Sequence, residues 1–133
     1  DYRFLSVADP RNAPYGEAAR EILQSMGMWT RLQEEGRLIR ARSIGQTHSQ
    51  VASGAAELGF VALSQVRRPD GTVSGSHWIP PKALYAPIEQ QRVLLHSAAD
   101  FAPAREFLDW MTTDTARQVI EAAGYAVPDT GSP

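Results

Sequence analysis

An α/β fold, with strand-helix repeats laid on a mixed sheet, is predicted by three features of this sequence. Short apolar runs at Phe4–Ala8, Leu38–Arg42 and Glu57–Ser64 have the length and composition of buried strands. Between them lie segments whose apolar residues recur at helical spacing. Each passage from strand to helix takes only a few residues, so the order β-α-β-α-β is dense enough to require helices packed on a sheet.

The first run, "RFLSVADP", stops at Asp9-Pro10, where proline removes a ladder donor. After the turn Ala13-Pro14-Tyr15-Gly16, residues Ala18, Ala19, Ile22, Leu23 and Met26 form one helical stripe that Gly27 closes. Trp29 and Leu32 mark a short second helical piece ending near Gly36. Leu38–Arg42 alternates as a strand, and Ser43-Ile44-Gly45 opens a helix running to about Ser53, with Gly54 as its stop. "ELGFVALS" then reads as a third, fully buried strand. "RRPDGTVSGSHWIPP" is a loop or hairpin whose turn signal is Asp70-Gly71. Ile88–Ser97 is expected as a further strand. Pro103 starts a helix that carries Phe107, Leu108 and Met111, and another follows from about Thr115 to Ala122, ending at Gly124 before "YAVP" and a polar tail.

Composition excludes several classes of function. At 133 residues the chain has room for one ordinary core and not for two large ones. Its net charge of −2 offers no attraction for nucleic acid or an acidic membrane surface. With no cysteine there are no thiolate metal sites and no disulfides, which suits cytoplasm and periplasm equally. No run approaches the roughly 18 apolar residues of a membrane span, and "DYRFLSV" lacks the layout of a signal peptide.

Catalysis finds no support in the motifs. His48, His77 and His96 stand in no spacing that a metal or a nucleophile requires, and neither a G-x-S-x-G elbow nor a phosphate loop is present. The chain is expected to be no enzyme and to hold no metal. What recurs is a strand feeding a helix through a short turn, at Ala13-Pro14-Tyr15-Gly16 and at Ser43-Ile44-Gly45. Each such turn presents the unbonded N–H groups of a helix start at the carboxyl edge of the sheet, where ligands of open α/β sheets gather. Two helix starts could aim their donors at one anion. Water or capping side chains could equally satisfy them.

Taken in order, "ADPRNAPYGEAAREIL", "GMWTRL", "SIGQTHSQVASGAAELGFVALSQV", "HWIPP", "PIEQQRVLL" and "AREFLDWMTTDTARQVIEAAGY" resemble the periplasmic molybdate-binding proteins of ABC importers, over nearly the whole chain. The resemblance implies a two-lobed clamp of the periplasmic-binding-protein type that closes on a tetrahedral oxyanion held by neutral donors, with no cofactor. It implies a backbone N–H from Tyr15, after the turn proline, and another from Ile44 at the head of the next helix. Some relatives add a tyrosine hydroxyl at the first-helix position or at the end of the "GFV" strand. Here the strand position is Ala62, which cannot donate, so Tyr15 is left with both roles.

Family members are nearly twice as long, and the match covers roughly their second half. The implied organisation is therefore a partial second lobe over residues 1–97 and a C-terminal helical segment over 98–133 that returns to a first lobe. Implied partners are molybdate or tungstate and the membrane permease of an ABC importer, in the periplasm. A dimer or an exchange of segments through the C-terminal helices is a further expectation, since their apolar face needs a cover. Two other readings stay open at this point: an oxyanion-sensing domain of a regulator, and a fragment that binds nothing and assembles through exposed helices.

Overall fold

A computed structural model describes residues 2–73 and 75–127. Pro128 and the expected polar tail after it lie outside the described residues, as does Ser74 of the expected loop. The chain forms two compact units, one of Asp1–Val66 with Gly75–Glu89 and the other of Arg67–Ser74 with Gln90–Pro133.

The first unit contains β1 (Leu5–Ala8), α1 (Pro14–Ser25), α2 (Trp29–Glu34), β2 (Leu38–Ala41), α3 (Ile44–Ala52), β3 (Leu58–Gly59) and the single turn α4 (Leu63–Val66). Its strands pair in the order β2-β1-β3. β1 runs parallel to both neighbours, with Leu5 opposite Leu38 on one side and Leu58 on the other. All four residues of β1 are buried, as a central strand covered on both faces demands.

Alternation of side chains along β1 divides the core in two. Leu5 and Val7 face α1 and α2, where they cluster with Ala19, Leu23, Trp29 and Leu32. Each large side chain in that cluster contributes roughly 1.5–3 kcal/mol through removal from water. Ser6 faces the other way, and its hydroxyl donates to Gln50 Oε1 of α3 at 2.6 Å. The chain thus leaves β1 over one face to reach β2, then crosses back over the opposite face to reach β3. Two crossovers of one hand that run in opposite directions along a sheet must lie on opposite faces.

Two expectations need correction. The sheet is not mixed among the described residues: its three strands are parallel because each is reached through a helical crossover. Ile88–Ser97, expected as a further strand, pairs with nothing there, and its end coils into a 3-10 turn at His96–Ala98. Val93 and Leu95 stand 79% and 65% exposed, so the apolar pattern exists without a neighbouring backbone to pair it. The "ELGFVALS" strand is also shorter than expected. Pairing ends with the Phe60 N–H donating to the Ser6 carbonyl at 3.0 Å, after which the chain turns into α4.

In the second unit the Asp70-Gly71 turn forms as expected. Arg67 and Val73 make an antiparallel bridge across it, Asp70 Oδ1 accepts from the Thr72 N–H at 2.9 Å, and Gly71 takes φ of 83°. Helices α5 (Ala102–Trp110) and α6 (Asp114–Ala122) match the two expected helices, Pro103 standing in the first turn of α5. The Thr113 hydroxyl caps α6 by accepting from the Ala116 N–H at 3.3 Å. Phe101, Phe107, Trp110 and Val119 remain exposed on this unit.

Candidate functional site

The carboxyl ends of β1 and β2 meet side by side, with Ala8 opposite Ala41 and the Asp9 N–H donating to the Ala41 carbonyl at 2.7 Å. From these two ends the chain turns into α1 and α3. The strand order also reverses here, because β2 lies on one side of β1 and β3 on the other. That is the position where an open parallel sheet leaves a crevice at its carboxyl edge.

The first turn is closed by Asp9. Its carbonyl accepts from the N–H groups of Asn12 and Ala13, both at 3.0 Å, and its carboxylate takes the Arg11 N–H at 3.0 Å and the guanidinium at 2.6 Å. The Arg11 side chain and then its backbone N–H hold the Asp9 carboxyl down at about 2. The charge of Arg11 is thereby spent inside the turn. Because the folded-state value lies below the ordinary 3.8, the associated stabilisation is complete above that value and is lost as pH falls toward about 2. Glu57 and Asp70 are also lowered and titrate on the same side. The difference between wild type and Asp9→Asn therefore isolates this turn. Thermal melts between pH 6 and pH 2 should show the two proteins differing at neutral pH and converging as the acid limit is reached.

Tyr15 follows Pro14 as the second residue of α1 and is half-buried. Ala13, in the cap position, has no side chain able to bond the helix start, and Pro14 has no N–H to satisfy. Gly16 seats this helix start against the strand end. A Cβ there would lie 2.2 Å from the Ala8 carbonyl oxygen and 2.8 Å from the Asp9 carbonyl carbon.

Ile44 is the first residue of α3. Ahead of it Ser43 and Gln46 form a variant of the capping box: the Ser43 hydroxyl accepts from the Gln46 N–H at 3.2 Å, and Gln46 Oε1 accepts from the N–H of Arg42, one residue before the cap, at 2.8 Å. The box consumes the third amide of the helix and leaves those of Ile44 and Gly45 outside it. Thr47, fully buried, holds the next turn by donating its hydroxyl to the Ser43 carbonyl at 3.3 Å.

Ala62 is buried in the bend between β3 and α4. Gln65 ties this bend to Ile44: its Oε1 accepts from the Ala62 N–H at 3.0 Å, and its Nε2 donates to the Ile44 carbonyl at 3.4 Å. Tyr15 and Ile44 thus come to one edge of one sheet, heading helices on its two faces, and Ala62 is linked to the second of them. Reading the sequence alone missed Gln65, whose cap-like spacing to position 62 is disguised by an alanine where serine or threonine would signal a cap. The helix start at Ser43-Ile44-Gly45 was legible.

His48 lies half-buried on α3, His77 and His96 are exposed, and no cluster of metal-ligating side chains forms among the described residues. None of their helices is long and apolar enough to cross a membrane.

The profile of the bacterial extracellular solute-binding proteins matches residues 1–126. The chain belongs to that family. Among solute-binding relatives, the molybdate-binding protein ModA of Rhodobacter capsulatus is 42% identical over 125 residues, which are 94% of this chain and 48% of the relative. The protein of the same name from Azotobacter vinelandii is 40% identical over 126 residues, 95% of this chain and 49% of the relative. A solved structure, the periplasmic molybdate-binding protein of Azotobacter vinelandii, superimposes with a TM-score of 0.91 at 44% identity, covering 96% of this chain and 55% of its own. The α/β fold of a solute-binding protein is therefore this chain's fold, and the chain spans about half the length of these relatives.

Proposed function

We propose that this chain is one lobe of a solute-binding protein that captures molybdate or tungstate in the periplasm and delivers it to the membrane permease of an ABC importer. The observation that carries the reading is the likeness to the Azotobacter protein, TM-score 0.91 at 44% identity, over the turns that place Tyr15 and Ile44. Relatives 40–42% identical over 94–95% of this chain are named for molybdate binding. The local chemistry agrees. A desolvated oxyanion needs donors more than it needs net charge, and helix-start N–H groups aimed from two neighbouring strand ends supply both direction and a partial positive potential. Arg11, the cation within the first turn, is already bonded to Asp9 and leaves neutral donors to do the binding.

In this reading Tyr15 offers its backbone N–H and its hydroxyl, and Ile44 its backbone N–H. The first lobe closes over the anion from the other side, and the closed clamp is the form that the permease recognises. The C-terminal helical segment, with the exposed Phe107 and Trp110 of α5, returns to that first lobe.

Isothermal titration of a protein carrying both lobes with molybdate, tungstate and sulfate tests the proposal. Saturable binding of the first two is expected, and an absence of heat from both would overturn it. In the same titration Tyr15→Phe should weaken molybdate by about 1–3 kcal/mol, because a charged acceptor is left one donor short. Unchanged affinity would reduce the Tyr15 ring to packing.

A further inference from the structure

Gln65 stands on a single-turn helix, outside the two helix starts, yet it is the side chain that joins the β3–α4 bend to the head of α3. Part of its bonding is ordinary. A glutamine three residues past a helix cap commonly reaches back to the cap N–H, which is what Oε1 does with Ala62 at 3.0 Å. The other bond is not explained by capping. Nε2 crosses 21 residues of sequence to the Ile44 carbonyl, at the long end of hydrogen-bond distance, 3.4 Å.

That carbonyl belongs to the peptide group whose N–H is Gly45's, the second amide of α3. Holding it fixes the plane of the first peptide inside the helix. From the other side, the capping box holds Ser43 through Gln46. The peptide that carries the Ile44 N–H is thus bracketed between two restraints, one local and one reaching from the far side of β1. By taking the Ala62 N–H, Gln65 also satisfies a backbone donor of the buried β3–α4 bend.

We infer that Gln65 is a positioning residue for oxyanion binding: it touches no ligand, and it sets the direction of the Ile44 N–H by clamping the head of α3 to the β3–α4 bend. The inference rests on the oxyanion reading given above. It differs from a purely structural role in what it affects, since a side chain that only stabilised the fold would change melting and leave affinity intact well below the melting temperature.

The test uses a protein with both lobes, with molybdate as the probe. Gln65→Leu removes both bonds at similar volume and should weaken molybdate about five- to tenfold at 25 °C, less than outright loss of a donor because the Ile44 N–H is misdirected and not deleted. In the ligand-free protein the Ala62 amide should exchange faster with solvent, and the Gly45 amide nitrogen resonance should move, since its peptide carbonyl loses a donor. Should Gln65→Leu fail to fold, Gln65→Met, unbranched and of matching length, enters the same measurements. Wild-type binding together with unchanged affinity in the folded variant would overturn the inference while leaving the oxyanion reading intact. Failure of the wild type to bind molybdate would overturn both.

Discussion

Gly16→Ala is expected to be the most destabilising single-methyl change in the first unit, lowering stability by about 3 kcal/mol and the melting temperature by on the order of 10 °C. The added Cβ would stand 2.2 Å from the Ala8 carbonyl oxygen and 2.7 Å from its carbonyl carbon. Both are backbone atoms at the end of a strand that is paired there with β2 and, further back at Leu5 and Ser6, with β3, so neither can rotate away. The start of α1 must lift instead, and Tyr15 is carried with it. Two other glycines calibrate the result. At Gly45 a Cβ meets only the Ser43 hydroxyl at 3.8 Å, so Gly45→Ala should be neutral or slightly stabilising. At Gly59 the closest clash is Val51 Cγ2 at 2.4 Å, the end of a side chain that can shift, which places Gly59→Ala between the two. Thermal melts of the three variants check the order; a Gly16→Ala protein as stable as Gly45→Ala would show that α1 does not sit on the strand end as described.

The second large effect is on binding. Ile44→Pro should reduce molybdate affinity roughly 10- to 100-fold in a protein with both lobes, whereas Ile44→Val should stay within a factor of about three. Proline deletes the N–H and nothing else that α3 needs. The first position of a helix tolerates proline well, as Pro14 already shows in α1. The residue before a proline must be extended, and Ser43 already is, at φ −151° and ψ 162°. The Pro variant should therefore melt close to wild type, and its loss of affinity can be read as loss of one donor. Titration calorimetry on both variants decides the matter, and equal affinities for Pro and Val would contradict a backbone role for Ile44.

The elements that were legible in the sequence share a physical character. α1, α3 and α6 carry their own start and stop signals, Pro14 and Gly27, Ser43 and Gly54, Thr113 and Gly124, and each signal acts within one or two turns of chain. β1 was legible because a central parallel strand is apolar throughout. Ile88–Ser97 misled because alternation reports a fitness for pairing, and pairing requires a partner strand that the residues themselves do not provide. The "ELGFVALS" run was read as one strand because its apolar residues continue through the bend. The turn into α4 depends on Gln65 bonding back to Ala62 and across to Ile44.

Family resemblance singled out Tyr15 and Ile44; by itself the sequence determined the α/β class and the short strand-to-helix turns that start helices at the sheet edge. These follow from local chemistry: proline and serine at helix starts, glycine at their ends, and the period of apolar residues. Only the tertiary structure decided that all three strands run parallel, that Arg11 is neutralised by Asp9, that Gly16 must be glycine, and that Gln65 binds one turn to another. Each of those depends on atoms brought together across the fold or across a turn, and their distances are set by packing that no local pattern records.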